Sequence, residues 1–270
     1  MSSVQKNGFS LIDFVPSWPS SVMVTGIIPI ALWLGQQTVP VFKPLAIVIF
    51  LFSVVLLVLV SALWLVRLIR HPAQYYQELH HPVAGSFLPT MPIAFMVISI
   101  GFLQIGPSVF PEALAHTIAI VGFFIGTAGI YVFSWLIMPA LFQSTKVDGQ
   151  HGTFGWFIPP VSHLIVPVLG LDLLHTPFGH AHAAPLFFLS LASLGIGFML
   201  FLLIGPNVLH RYIYHSSPVG KMAPTLLIAL APTSILIIVL IKINLVLGQL
   251  SFLEIDSIRG VIQLVGPVLW

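Results

Sequence analysis

Seven charge-free apolar runs, at residues 20–38, 44–66, 84–106, 113–137, 155–171, 183–206 and 222–241, dominate this chain and restrict what it can become. A helix that crosses the hydrocarbon core of a bilayer needs about 20 mostly apolar residues. Each run is therefore read as one transmembrane helix. Composition agrees: 6% of the 270 residues are charged and 58% are hydrophobic, whereas an ordinary soluble domain carries about 25% charged residues. An eighth run starts near Ser257 and continues to Trp270. Its uncharged part, from Gly260, would reach only about 16 Å as a helix, so it is read as a partial span in which the chain stops. The sequence is expected to form a single all-α integral membrane domain over residues 1–270.

The first run follows about sixteen fairly polar residues, among them Lys6 and Asp13, with no small-residue cleavage site after it, and is read as a retained span. With the N-terminus in the cytoplasm, Lys6, Arg67, Arg70, Lys146, Arg211 and Lys221 fall inside, and Lys43, Lys242 and Arg259 outside. Positive charge collects on the cytoplasmic side of membrane proteins, so this orientation in the cell membrane is expected. No run of basic residues suits nucleic acid, and the absence of cysteine removes disulfides, thiolate metal sites and Cys nucleophiles.

Proline adds a finer pattern. It removes a backbone hydrogen bond wherever it enters a helix. In the odd-numbered runs it lies within the span: Pro29, Pro92, Pro159, Pro160, Pro167, Pro224 and Pro232. In the even-numbered runs it sits at the ends: Pro44, Pro111, Pro139, Pro185 and Pro206. Pro29, Pro92, Pro160 and Pro232 are separated by 63, 68 and 72 residues, the length of one helical hairpin. This spacing suggests a repeated two-helix unit, and places the next kinked helix near residue 300, beyond Trp270. Polar backbone freed at membrane depth survives only against protein or beside a water-filled cavity. The odd helices are thus expected inside, around a pathway, with the even ones outside.

Four segments, met in order at the first, third, fifth and seventh helices, carry a family resemblance: SSVMVTGIIPI at 20–30, HPVAGSFLPTMPIA at 81–94, WFIPPVSHLIVPVLG at 156–170 and KMAPTLLIALAP at 221–232. Together they resemble the tellurite-resistance and C4-dicarboxylate transporters, a family that includes yeast malate permeases, sulfite efflux pumps and plant slow anion channels. The resemblance implies five helical hairpins, with kinked inner helices around a central pore and outer helices around them, in a homotrimer with one pore per subunit. It also implies passive or proton-linked movement of small anions such as malate, sulfite or tellurite, and no enzyme activity or cofactor. About seven or eight of the family's ten helices are present. The ninth, which carries the aromatic side chain blocking the family's pore, is absent from this sequence, which looks truncated at its C-terminus.

Within the odd helices, Gly26, Pro29, Pro92, Pro160, Pro167, Pro224, Thr225 and Pro232 are the candidate pathway builders, with small anions held by N–H groups and half-helix ends rather than by full charges. Close helix packing is the competing role for the same small residues. His163 is the ionisable side chain that falls in the middle of a kinked span. Intramembrane ionisable groups are usually functional, so it is expected to face the pathway; the alternative is a neutral histidine bonded to a carbonyl freed by Pro167. The cluster HTPFGHAH at 175–182 could in principle bind a transition metal, but no Cys or carboxylate joins it, and it is read as a solvated loop. QYYQELHHP at 74–82 reads as a polar surface segment. The readings from other classes are a membrane oxidoreductase holding haem through His116, His163, His210 or His215, and a non-functional transporter fragment.

Overall fold

The computed structural model describes residues 14–142, 152–215, 220–250 and 260. Among them nine α-helices follow one another: α1 Pro19–Gly35, α2 Phe42–Arg70, α3 Pro72–Leu79, α4 Thr90–Gln104, α5 Glu112–Phe142, α6 Ile158–Leu173, α7 Pro177–Ala181, α8 Ala183–Tyr214 and α9 Ala231–Val246. Short 3₁₀ segments, Gly85–Phe87, Phe154–Phe157 and Gly220–Leu230, lead into α4, α6 and α9. The partial span expected at 257–270 lies outside the described residues, apart from Gly260.

The architecture is an all-helical integral membrane fold. Six segments are long and apolar enough to cross a bilayer: Phe42–Arg70, Gly85–Gln104, Glu112–Pro139, Phe154–Leu173, Ala183–Tyr214 and Thr225–Val246. The first apolar run becomes the 17-residue α1, about 26 Å long. All seven runs thus become helices, with shifted ends. α5 extends past 137 through the still apolar 138–142, with Pro139 inside it, and α8 extends past 206 to Tyr214, because a helix does not stop where its sequence turns polar. The seventh run is divided, with 3₁₀ geometry up to Leu230 and α-helix from Ala231.

Two layers follow from burial. In the spans containing α4 and α6, 83% and 89% of the apolar window is buried, against 22–39% in those containing α2, α5, α8 and α9. Helices covered on every side must be surrounded by protein, so α4 and α6 form the interior. α2, α5 and α8 pack outside them, each turning an apolar face outward through residues such as Val48, Phe52, Trp135, Met199 and Leu203. α1 packs on α2 and α4, and α9 packs on α6, which gives an inner arc α1–α4–α6–α9. Its middle members are enclosed, while its end members stay open on one side: the span containing α9 is 22% buried, no more than that of α8. The expectation that every odd helix is enclosed holds for α4 and α6 alone.

The prolines take places that the apolar runs alone do not give. Pro92, Pro159, Pro160 and Pro232 stand in the first α-helical turn of α4, α6 and α9. There the N–H that proline lacks would have no intrahelical partner in any case. Pro29 and Pro167 are interior. Pro139 and Pro206 also lie inside α5 and α8, not at their ends, because both helices run on beyond 137 and 206.

Candidate functional site

The inner arc is tied at one end by the segments that lead into α4 and α6. Trp156 Nε1 donates to the Pro82 carbonyl at 2.8 Å, and Gly155 lies so close to Phe87 that a Cβ would meet its ring at 3.1 Å. Thr90 Oγ1 donates to the Pro16 carbonyl at 3.0 Å and so holds the chain before α1 at the start of α4. Two of the recognisable sequence segments are therefore joined by a direct hydrogen bond. A half-buried indole N–H held on a fixed acceptor ties the entries of the two helices to one another.

The expected pathway residues are distributed over all four inner helices. Gly26 is the contact of α1 with α4: a Cβ there would stand 2.9 Å from Val97 and 3.0 Å from Ile98. Pro29, Pro167 and Pro232 are buried within α1, α6 and α9. Pro92 meets α5, where a Cβ on Gly129 would lie 2.9 Å from its ring. The Pro160 carbonyl meets α8, where a Cβ on Gly197 would lie 2.9 Å from it. Thr225 is buried at the foot of the span containing α9. Pro224 lies in the 3₁₀ segment before α9, and its side chain is outside the described residues. Gly26, Pro92 and Pro160 thus sit at close helix crossings, where small or fixed shapes let backbones approach.

His163 is 1% exposed. Its Nδ1 lies 3.2 Å from the Pro159 carbonyl and 3.4 Å from Ser134 Oγ. A carbonyl can only accept, so Nδ1 carries the proton. The partner is the carbonyl one turn back, not the one that Pro167 frees. The ring stands edge-on to Tyr131, with centroids 5.2 Å apart, and the Tyr131 hydroxyl meets Ser193 Oγ at 2.9 Å. His163 therefore faces α5, in a polar seam shared by α5, α6 and α8. Thr127, Tyr131 and Ser134 recur at helical spacing along one face of α5. That periodicity is the sequence signal by which the seam could have been found.

Charge on the inner arc is concentrated at the opposite end. Lys242 lies inside α9, and Asp172 lies in the last turn of α6. The Lys242 ammonium donates to one Asp172 oxygen. Gln104 Nε2, at the end of α4, donates to the other at 3.3 Å. Three inner helices meet in this one cluster. Beside it, Thr176 caps α7 by accepting from the Gly179 N–H at 3.1 Å, and a cavity of ≈ 260 Å³ is lined by Leu174, His175, His180, Ala183 and Leu250. Among the described residues, no three His, Cys, Asp or Glu side chains converge as a metal site would require. At the first end, Arg67 and Glu78 form a two-point ion pair between α2 and α3, with Nη1 to Oε2 at 2.8 Å.

Comparison with known proteins places these features in context. The family described as voltage-dependent anion channel matches residues 13–270. Two uncharacterized transporters of Methanocaldococcus jannaschii are 29% and 30% identical to the chain over 230 residues, in each case 85% of this chain. The aligned part makes up 65% of the first relative and 64% of the second, so the chain spans less than two thirds of the length of either.

Proposed function

The chain belongs to the voltage-dependent anion channel family, and from that premise we propose that it moves small anions, of the class of malate, sulfite or tellurite, across the cell membrane. The observation that carries this reading is the inner arc itself. α4 and α6 are enclosed by other helices, yet α1, α4, α6 and α9 hold two formally charged residues in all, and these neutralise each other at one end. A pathway with so few fixed charges handles an anion through backbone dipoles and N–H groups, which attract it without trapping it. Gly26, Pro29, Pro92, Pro160, Pro167, Pro224, Thr225 and Pro232 build that pathway by shaping the inner helices. His163, turned toward α5, sets where α6 stands and does not meet the anion.

The same reading has the N-terminus in the cytoplasm and three copies of the protein assembled with one pathway each. The test is flux into proteoliposomes of malate, sulfite, nitrate and chloride, one at a time. Uptake of at least one anion above that of protein-free vesicles supports the proposal. Uptake of none, by protein that is folded and correctly inserted, removes it.

A further inference from the structure

We propose that Lys242 is an anion-capture site at the α6–α9 end of the pathway, with Asp172 as the internal anion that an incoming carboxylate or oxyanion displaces. The proposal rests on the transport reading above. Lys242 and Asp172 are the two formally charged residues on α1, α4, α6 and α9, and they face each other across two inner helices rather than reaching outward. Their side chains are 19% and 17% exposed. That is open enough for a small solute to reach them, and enclosed enough for the field of one ammonium to be weakly screened.

The geometry of Asp172 fits this role. Of its two oxygens, one takes the ammonium and the other takes the Gln104 amide. Losing Lys242 to a passing anion therefore leaves the carboxylate still held by α4, near the helix end where it began. The lysine, on a flexible four-carbon stem, is the mobile partner. Two states follow: one in which the ammonium is paired internally, and one in which it is paired with the transported anion. In the first both charges are matched. In the second the ammonium is matched by the transported anion while Asp172, 17% exposed, keeps the Gln104 hydrogen bond and contact with water, a cost that favours the return of Lys242 once the anion has left. The ligand class is a small carboxylate or oxyanion, because a compact ammonium recognises negative charge without demanding a bidentate shape.

The experiment measures initial uptake of nitrate and of malate against concentration in proteoliposomes, for the wild type, Lys242→Gln, Asp172→Asn, the double variant and Lys242→Arg. Lys242→Gln should raise the half-saturating concentration about tenfold, equivalent to ~1.4 kcal/mol. Asp172→Asn, which removes the competing internal anion, should lower it severalfold. The double variant should behave like Lys242→Gln, since Asp172 has nothing to compete for once the ammonium is gone. Lys242→Arg should stay close to the wild type. A purely structural clamp gives another pattern: both single variants melt earlier and lose maximal rate with unchanged half-saturation, and the double variant recovers. That pattern overturns the proposal. If Lys242→Gln fails to insert, Asp172→Asn decides, because a clamp cannot explain tighter half-saturation. Where the wild type takes up neither nitrate nor malate the series is run with sulfite or chloride, and uptake of none of the four would remove the transport reading, and the capture site with it.

Discussion

Replacing Gly197 by alanine adds one methyl group where α8 crosses α6. Its Cβ would lie 2.9 Å from both Cγ and Cδ2 of Leu164 and 2.9 Å from the Pro160 carbonyl. Leu164 is fully buried, so it has little room to turn away, and a backbone carbonyl in the first turn of α6 cannot move without moving the helix. Overpacking of this kind costs about 1–3 kcal/mol. Gly195 and Gly205, on the same helix, have nothing within 4 Å of such a methyl group. Alanine there should instead stabilise the helix by about 0.5–1 kcal/mol. For a domain of this size, 1 kcal/mol shifts the melting midpoint by roughly 2–4 °C. Melting of the detergent-solubilised protein, followed through its six tryptophans, should therefore put Gly197→Ala below the wild type and the two controls at or above it. Equal midpoints for Gly197→Ala and Gly195→Ala would refute the claim that close contact fixes the spacing of inner and outer helices.

Three further outcomes follow from named contacts. Arg67→Met strands Glu78, whose side chain is 14% exposed, and should cost about 3 kcal/mol; Arg67→Met with Glu78→Gln should recover most of it, read as the melting midpoint. Burial, and then the neighbouring Glu78 charge, push the Tyr75 hydroxyl in the connecting helix α3 well above the usual tyrosine range, against a smaller lowering by Arg67. The folded state therefore holds this proton more tightly than the unfolded chain does, and stability should fall as pH rises above about 10. In Tyr75→Phe that part of the alkaline loss should disappear from a melting-versus-pH series. His163→Ala removes the Pro159 and Ser134 contacts and should lower the melting midpoint by a few degrees, at roughly 1 kcal/mol lost. The pH profile of anion flux should stay unchanged, and a shifted profile would restore His163 to the anion path.

The seven apolar runs were legible because span length and charge exclusion act locally along the chain. The same rule cut the helices short wherever a charge closes a run. Lys242, which by the apolar runs falls in an outer connection, lies inside α9 and pairs with Asp172. Arg67, which by the same runs falls in a cytoplasmic connection, is buried in α2 and paired with Glu78. Neither pairing has a local signature, since the partners lie 70 and 11 residues apart. His163 was found by its position in a span, but not the side to which it turns, because Tyr131 and Ser134 belong to another helix. The proline series marked the enclosed α4 and α6, but it marked α1 and α9 as well, which remain open on one side. Its register came out differently because most of those prolines begin α-helical segments and do not interrupt them.

The central claim is that the protein conducts anions, and it is tested most directly by the reversal potential of the purified protein in a planar bilayer under a salt gradient. The current should reverse near the equilibrium potential of the anion and follow it when one anion replaces another. A reversal near the cation equilibrium potential, or the absence both of current and of anion uptake by the same protein in vesicles, would contradict it.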